Sequence, residues 1–376
     1  MPRKNFNPGV YLNRIPRPRQ RVLQNKLLQW YHAAHRVLPW RKLRGAYAIW
    51  VSEVMLQQTQ TAKVLEYYAP FLRRFPRVET LAAAPLDDVL KAWEGMGYYA
   101  RARNLHRAAN YIHENLRGRL PRDYEALLQI PGIGPYTAAA VASIAFNRDH
   151  AVVDGNVERV LSRLFRIALP PKDHRAKQLF RELAQAFLYP GRARVWNQAL
   201  MELGALICTP KRPKCSECPA KKYCCAYNQL RDPAQLPARR RKPVLPHYDI
   251  VVGLVRKNNL LLIDQRKPEG LLGGLWEFPG GGVNPGETHA QALPLRLREG
   301  LAIETVMGKN FLQVKHGYSH FRVTLHVYHC DYISGEPQAL TCQQWKWVHP
   351  KDLKNYAFST ANRRIIAALM QEAGSV

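Results

Sequence analysis

Four cysteines stand at short intervals in the middle of the chain, Cys208-x6-Cys215-x2-Cys218-x5-Cys224, with Cys225 left over directly after them. Thiolates spaced this closely make a tetrahedral or cubane metal site, and spacing alone leaves zinc and iron–sulfur both open. Upstream, EALLQIPGIGPYTAAAVASIAF ends a short amphipathic helix at Ile130. It turns through Pro131-Gly132-Ile133-Gly134 and resumes as an Ala-rich helix near Pro135. Gly132 and Gly134 are free to take positive φ and to leave backbone N–H groups uncovered. With the next helix start they form a neutral cradle for a phosphate oxygen, although such turns also serve as plain connections. Two carboxylates have contrasting neighbours. Glu53 lies among Ile49, Trp50, Val51, Val54, Met55 and Leu56, where desolvation raises a carboxyl pKa. Asp154, before Gly155 and Asn156 at a helix start, has a setting that favours the anion. Taken singly, the two also read as a surface glutamate and a helix-capping aspartate.

The elements that must position these residues follow from texture. Residues 21 to about 206 carry apolar side chains at three- and four-residue spacings, punctuated at Pro39, Pro76, Pro121 and Pro190-Gly191, so an all-helical domain is expected. With the cysteine loop it spans 21–225. Residues 1–20 are rich in Pro, Asn and Arg without periodicity and are expected to form a disordered basic tail. Residues 226–247, with the basic run Arg239–Lys242, read as a linker. Beyond it YDIVVGLVRKNNLLLIDQRK suggests two strands around Lys-Asn-Asn, FRVTLHVYHCDYI another strand, and QALPLRLREGL and TANRRIIAALMQ helices. The expectation for 248–376 is a small α+β domain, and the whole is α+β in class.

Charge narrows the partner. The chain carries 56 Lys+Arg against 28 Asp+Glu, a formal charge of +28. Residues 1–247 hold 42 basic and 17 acidic side chains, and 248–376 hold 14 and 11. A polyanion that gives up counterions to basic side chains is therefore expected on the first two thirds. No apolar run reaches membrane-spanning length and no secretory leader is visible, so an intracellular protein without a membrane partner is expected. In that setting the clustered thiols point to metal rather than disulfides.

The glycine hairpin, with Asp154 some twenty residues on in AVVDGNVERVLSR, resembles the helix-hairpin-helix glycosylases of the endonuclease-three superfamily. WVSEVMLQQTQ (50–60) and WEGMGYYARARNL (93–105) resemble its adenine DNA glycosylase (MutY) branch, and the similarity covers roughly residues 21–370. It implies base excision from double-stranded DNA, the adenine standing opposite 8-oxoguanine or guanine, by a monomer. Glycosidic cleavage needs one protonated carboxyl for the leaving base and one anion for the sugar cation, with pKa values pushed apart. The resemblance assigns the acid to Glu53 and the anion to Asp154, with Asn156 and Tyr136 as supporting groups. Tyr136 stands where bifunctional relatives place a Schiff-base lysine, so an intact abasic site is the expected product. Gln58 and Tyr98 resemble residues that wedge into the duplex beside an extruded base. Arg41 is a further active-site candidate, and the x6, x2, x5 spacing resembles a [4Fe–4S] loop.

Residues 270–304 resemble a Nudix segment. Gly281-x5-Glu287 is present, Leu295-Arg296 stands where Arg-Glu is needed, and Glu299 is followed by Gly300. One remaining helix carboxylate among arginines is a poor magnesium site, so a Nudix-like fold without hydrolysis is expected. Such domains read 8-oxoguanine through a loop matched here by Tyr318-Ser319-His320, where the family more usually starts with phenylalanine. Ser319 is then the candidate for the discriminating hydrogen bond. Three rivals remain: a glycosylase-lyase, which Tyr136 disfavours; a nucleotide-pyrophosphate hydrolase, which lacks its glutamates; and a DNA-binding module without catalysis.

Overall fold

The computed structural model describes residues 7–42, 45–170, 174–238 and 244–374. The chain divides into two compact units, Met1–Tyr68 with Arg77–Glu79 and Arg107–Lys242, and Ala69–Pro76 with Thr80–His106 and Pro243–Val376.

The described residues of the first unit form helices and no strands. Helix Arg17–Ala34 contributes Leu23, Leu27, Leu28 and Tyr31 to a core shared with Gly155–Leu164, His174–Ala186 and Ala193–Leu206, around Phe165, Phe180, Phe187 and Trp196. The tail expected over 1–20 is structured from residue 7 onward; residues 1–6 lie outside the described residues. Asn7 caps helix Pro8–Leu12 through Gly9 N–H, Ile15 joins the core, and the Arg14 guanidinium donates to the Phe165 and Arg166 carbonyls. Pro8 and Pro18 stand in the first turns of helices, because a proline there forfeits only an N–H that has no intrahelical partner. The expected linker is likewise partly built in. Cys225–Gln229 is helical, and buried Leu236 accepts a 2.8 Å hydrogen bond from Arg163. The run Arg239–Lys242 lies outside the described residues.

The second unit carries a seven-stranded mixed sheet: β1 His247–Lys257, β2 Leu260–Gln265, β3 Trp276–Glu277, β4 Gly280–Gly282, β5 Glu304–Gly317, β6 Arg322–Ser334 and β7 Gln344–Val348. The order is β3-β2-β1-β6-β5, with β4 on β1 and β7 on β2, and the β1–β6 pair is parallel. Side chains alternate across β1. Val252 and Leu254 face the core under helix Thr360–Gly374, while Val251 and Val255 face the core under helix His289–Leu301. Segment Thr80–His106, helical as expected, is grouped by its contacts with this unit. Its polar side chains bond here: Asp87 accepts from Gln265 at 2.7 Å, Lys91 donates to the Tyr356 carbonyl at 2.9 Å, and Glu94 accepts from Phe358 N–H at 2.9 Å.

Candidate functional site

Helix Ala46–Leu56 buries Ile49 through Met55 on all sides, so Glu53 in that stretch is only 5% exposed. Its carboxyl lines a cavity of about 1120 Å³ in the first unit, together with Arg41, Gln58, Gly132, Gly134, Tyr136, Asp154 and Asn156. Burial pushes the Glu53 pKa up to about 7, with the Asp154 charge adding to the rise and the Tyr136 bond and Arg41 charge opposing it. Tyr136, in the first turn of helix Pro135–Ala140, donates its hydroxyl to Glu53 Oε2 at 2.8 Å.

Asp154 is the N-cap of helix Gly155–Leu164: Oδ1 accepts from Val157 N–H at 2.8 Å and Oδ2 from the Asn156 amide at 2.8 Å. The expectation that this setting alone favours the anion needs correction. Burial raises the Asp154 pKa despite those bonds and the nearby Arg159 charge, because the carboxyl lies inside the cavity wall as well as at the helix end. Behind it, Arg159 donates to Asn156 Oδ1 at 2.8 Å and to the Cys208 carbonyl at 2.7 Å, so the Asp154 cap and the cysteine loop are held by one guanidinium.

Sequence reading missed Glu202. It is 1% exposed, lines the same cavity, and accepts from Arg36 and Arg41 at 2.7 Å each. Burial would raise its pKa, but the two arginines prevail and hold it at about 2. The available signal was a lone acid in the apolar helix Ala193–Leu206. Arg41 is thus committed to Glu202 as well as facing the cavity.

In the hairpin, Gly132 takes φ +89 as anticipated, but Gly134 does not adopt positive φ. It is an extended N-cap with φ −91 and ψ 176, as a residue before proline must be. A Cβ at Gly134 would meet nothing within 4 Å, so its backbone faces open space. Gln58 is exposed at φ +56 on the rim of the cavity, a conformation unusual for a non-glycine residue and often stabilised where function needs it.

Cys208, Cys215, Cys218 and Cys224 line one narrow cavity with Ile207, Pro213, Tyr227 and Pro233. Among the described residues no three His, Cys, Asp or Glu side chains form a group that could hold a metal ion as they stand. The surroundings nonetheless suit a four-thiolate group. Fully buried Arg163 donates to Cys208 Sγ at 3.3 Å and to the Thr209 and Pro210 carbonyls, which sets a fixed positive charge beside the sulfurs.

Tyr98 and the loop Tyr318-Ser319-His320 belong to the second unit. Tyr98 is exposed at φ +50, with Arg101 over its ring at 5.4 Å. Ser319 and His320 are exposed, whereas the Tyr318 ring, expected as a stacking face, is half-buried against His316 and Phe321. In the Nudix-like segment Arg296 stands between the remaining acids, bonded to Glu287 at 2.9 Å and Glu299 at 3.1 Å.

Comparison with known proteins adds to this geometry. Residues 51–186 match the profile of the HhH-GPD superfamily of base excision DNA repair proteins, and residues 251–368 match that of the NUDIX domain. The chain is 36% identical to an adenine DNA glycosylase of Rattus norvegicus, over 92% of this chain and 77% of that one. The adenine DNA glycosylase of Homo sapiens is 35% identical, over 92% and 73%. Among solved structures, a thermostable thymine-DNA glycosylase is 32% identical with a TM-score of 0.51, covering 56% of this chain and 96% of that one.

Proposed function

We propose that this chain, which belongs to the adenine DNA glycosylase family, removes adenine mispaired with 8-oxoguanine or guanine from duplex DNA and leaves an intact abasic site. It is a hydrolase of the N-glycosidic bond, and DNA is its partner. The observation that carries the catalytic reading is the convergence of Glu53, Tyr136 and Asp154 on one cavity, with the Glu53 pKa near 7.

Two buried carboxyls that repel one another hold a proton between them, and hydrogen bonds decide which one keeps it. Asp154 accepts from Val157 N–H and from the Asn156 amide, while Glu53 accepts from Tyr136. Asp154 is the more strongly hydrogen-bonded anion, so the proton rests on Glu53. Glu53 then delivers it to the leaving adenine, and Asp154 faces the positive charge that develops on the sugar. Tyr136 keeps the acid oriented and supplies no amine for a Schiff base, which favours monofunctional cleavage over the lyase alternative. Uncovered N–H groups at Gly132 and Gly134 suit a backbone phosphate. Gln58 and Tyr98 are assigned to fill the gap left by the extruded base, and Ser319 with His320 to read the base opposite.

Cys208, Cys215, Cys218 and Cys224 would hold a [4Fe–4S] cluster, whose four-thiolate bonding would fix the loop that Arg159 and Arg163 tie to the Asp154 helix. The segment around Glu287 is assigned no hydrolysis.

Single-turnover adenine release from duplexes with A opposite 8-oxoguanine, G or T, in native and Glu53→Gln protein, tests this reading. Release fastest opposite 8-oxoguanine and lost in the variant, with DNA binding kept, is expected. No release from any duplex by cluster-replete protein would leave a DNA-binding module. Abundant covalent adduct on borohydride reduction would instead establish the lyase.

A further inference from the structure

Asp154 is delivered to its cavity by residues 149–153, which belong to neither a helix nor a strand. Backbone groups in such a segment still need partners where they leave water. Here side-chain amides supply them. Gln185 of helix His174–Ala186 accepts from Ala151 N–H at 2.9 Å and donates to the Asp149 carbonyl at 2.8 Å. Asn197 of helix Ala193–Leu206 accepts from Val152 N–H at 3.1 Å and donates to the His150 carbonyl at 2.8 Å. Each amide takes an N–H and the carbonyl two residues earlier, as a neighbouring strand would.

The two amides are not equivalent. Gln185 is exposed, and water can take its place. Asn197 is 1% exposed, and its amide also donates to Ser143 Oγ at 2.9 Å. Ser143 gives its own proton to the Ala139 carbonyl at 2.7 Å, so toward Asn197 it can only accept. It sits in the π-helical turn Val141–Ala145, which continues helix Pro135–Ala140, the helix that carries Tyr136. Behind the segment lies a second cavity of about 770 Å³, lined by His150, Ala151, Val153, Glu158 and Tyr136. The segment therefore has room to relax away from Glu53 once its inner bonds are lost.

We propose that Asn197 is a positioning residue for glycosidic cleavage: its buried amide ties residues 150–152 to the helix of Tyr136 and so sets where the Asp154 carboxylate stands. This rests on the reading of Asp154 as the anion that faces the sugar cation. Asn197 does not line the catalytic cavity and acts only through the backbone it holds. The cost of its loss falls on the transition state, where a small misplacement of the anion is felt most.

The test uses the full-length, cluster-replete protein and two duplexes in which the adenosine opposite 8-oxoguanine is replaced. One carries a protonated pyrrolidine, which mimics the sugar cation, and the other a neutral tetrahydrofuran. Native protein is expected to prefer the cationic probe. Asn197→Ala should weaken binding of the cationic probe about tenfold, the worth of a hydrogen bond to a charged group, with the neutral probe bound as before. Single-turnover adenine release should slow about 10²-fold. Asn197→Asp, protonated where it is buried, keeps the acceptor for Val152 and one donor, so it should restore part of the preference. If Asn197→Ala does not fold, Asn197→Asp carries the test with an expected loss of about threefold on the cationic probe alone. An unchanged preference in a folded variant overturns the proposal, as does equal weakening on both probes, the mark of a general structural role. If native protein binds both probes alike, the reading of Asp154 fails and this proposal with it. A preference lost in Asp154→Asn but kept in Asn197→Ala rejects the positioning role alone.

Discussion

Each unit holds a set of carboxylates inherited by its fold, and the two sets are treated in opposite ways. Glu53 and Asp154 share a cavity in the first unit, and among the described residues neither forms an ion pair. Their charge is left to repel, and Glu53 titrates near 7. Glu287 and Glu299 of the second unit share the guanidinium of Arg296, whose Nε also donates to the Gly282 carbonyl at 3.0 Å. The stem of that arginine lies over Gly281, where a Cβ would come within 2.9 Å of it. A fixed cation occupies the place between the acids and leaves them nothing to do. Glu202 makes the same point beside the catalytic cavity: clamped by two arginines, it is held at about 2 and stays a structural anion. An acid is available for proton transfer near neutral pH only where burial is not answered by a cation.

The largest effect should come from removing that one free proton. Glu53→Gln is expected to slow single-turnover adenine release about 10²- to 10⁴-fold, the usual worth of a general acid, with duplex affinity retained by filter binding. Stability should move the other way. The folded-state pKa near 7 lies above the ordinary carboxyl value, so the stability contribution of this group is fully present below the unfolded pKa and is lost as pH rises through 7. Glutamine escapes that loss and still accepts from Tyr136. Urea unfolding at pH 8 should therefore show Glu53→Gln more stable than native by up to about 3 kcal/mol, an advantage that vanishes near pH 4. A variant no more stable at pH 8 than at pH 4, relative to native, would mean that Glu53 is solvated after all.

The silenced set is tested from the other side. Arg296→Met should leave adenine release unchanged and lower the stability of the second unit by about 1 kcal/mol, since one of the two pairs is half exposed. Millimolar magnesium should recover part of that loss in the variant and nothing in the native protein, as read by thermal melts. A magnesium response of the native protein would show that Arg296 does not stand in for a cation.

Legibility in the sequence followed the same division. The glycine hairpin, Asp154 and the apolar run around Glu53 were visible because helix periodicity and turn residues are local. The β1–β2 hairpin was visible too, its Asn258 taking φ +54 in the expected turn. Strand β5 was not. Its register against β6 shifts between Met307 and Asn310 and again before Leu312, so no clean alternation survives in the sequence. Partners far apart in the chain were equally hidden. Nothing near Glu202 announces Arg36 and Arg41, which meet it from 166 and 161 residues away. The pairing of Asp87 with Gln265 is also set by tertiary packing alone. The Asp154 pKa was misjudged for this reason: the helix end is local, but the cavity that desolvates it is assembled from helices far apart in the chain.

The finest test of the comparison is Tyr136→Phe, because it changes the surroundings of the acid without removing it. The Tyr136 bond to Glu53 Oε2 stabilises the carboxylate and opposes burial, so it lowers a pKa that would otherwise stand higher. In native protein, release should fall as pH rises through about 7, where Glu53 gives up its proton. Without the phenol the midpoint should move upward by roughly half a unit to one unit, the worth of one charge-assisted hydrogen bond shared with solvent. At pH 8 the variant then holds a larger protonated fraction than native protein, and any loss of orientation shows separately as a lower plateau at acid pH. A downward shift would mean that the hydroxyl donates to the neutral acid and not to the anion. Tyr136 would then reinforce burial in holding the proton on Glu53, and would not oppose it.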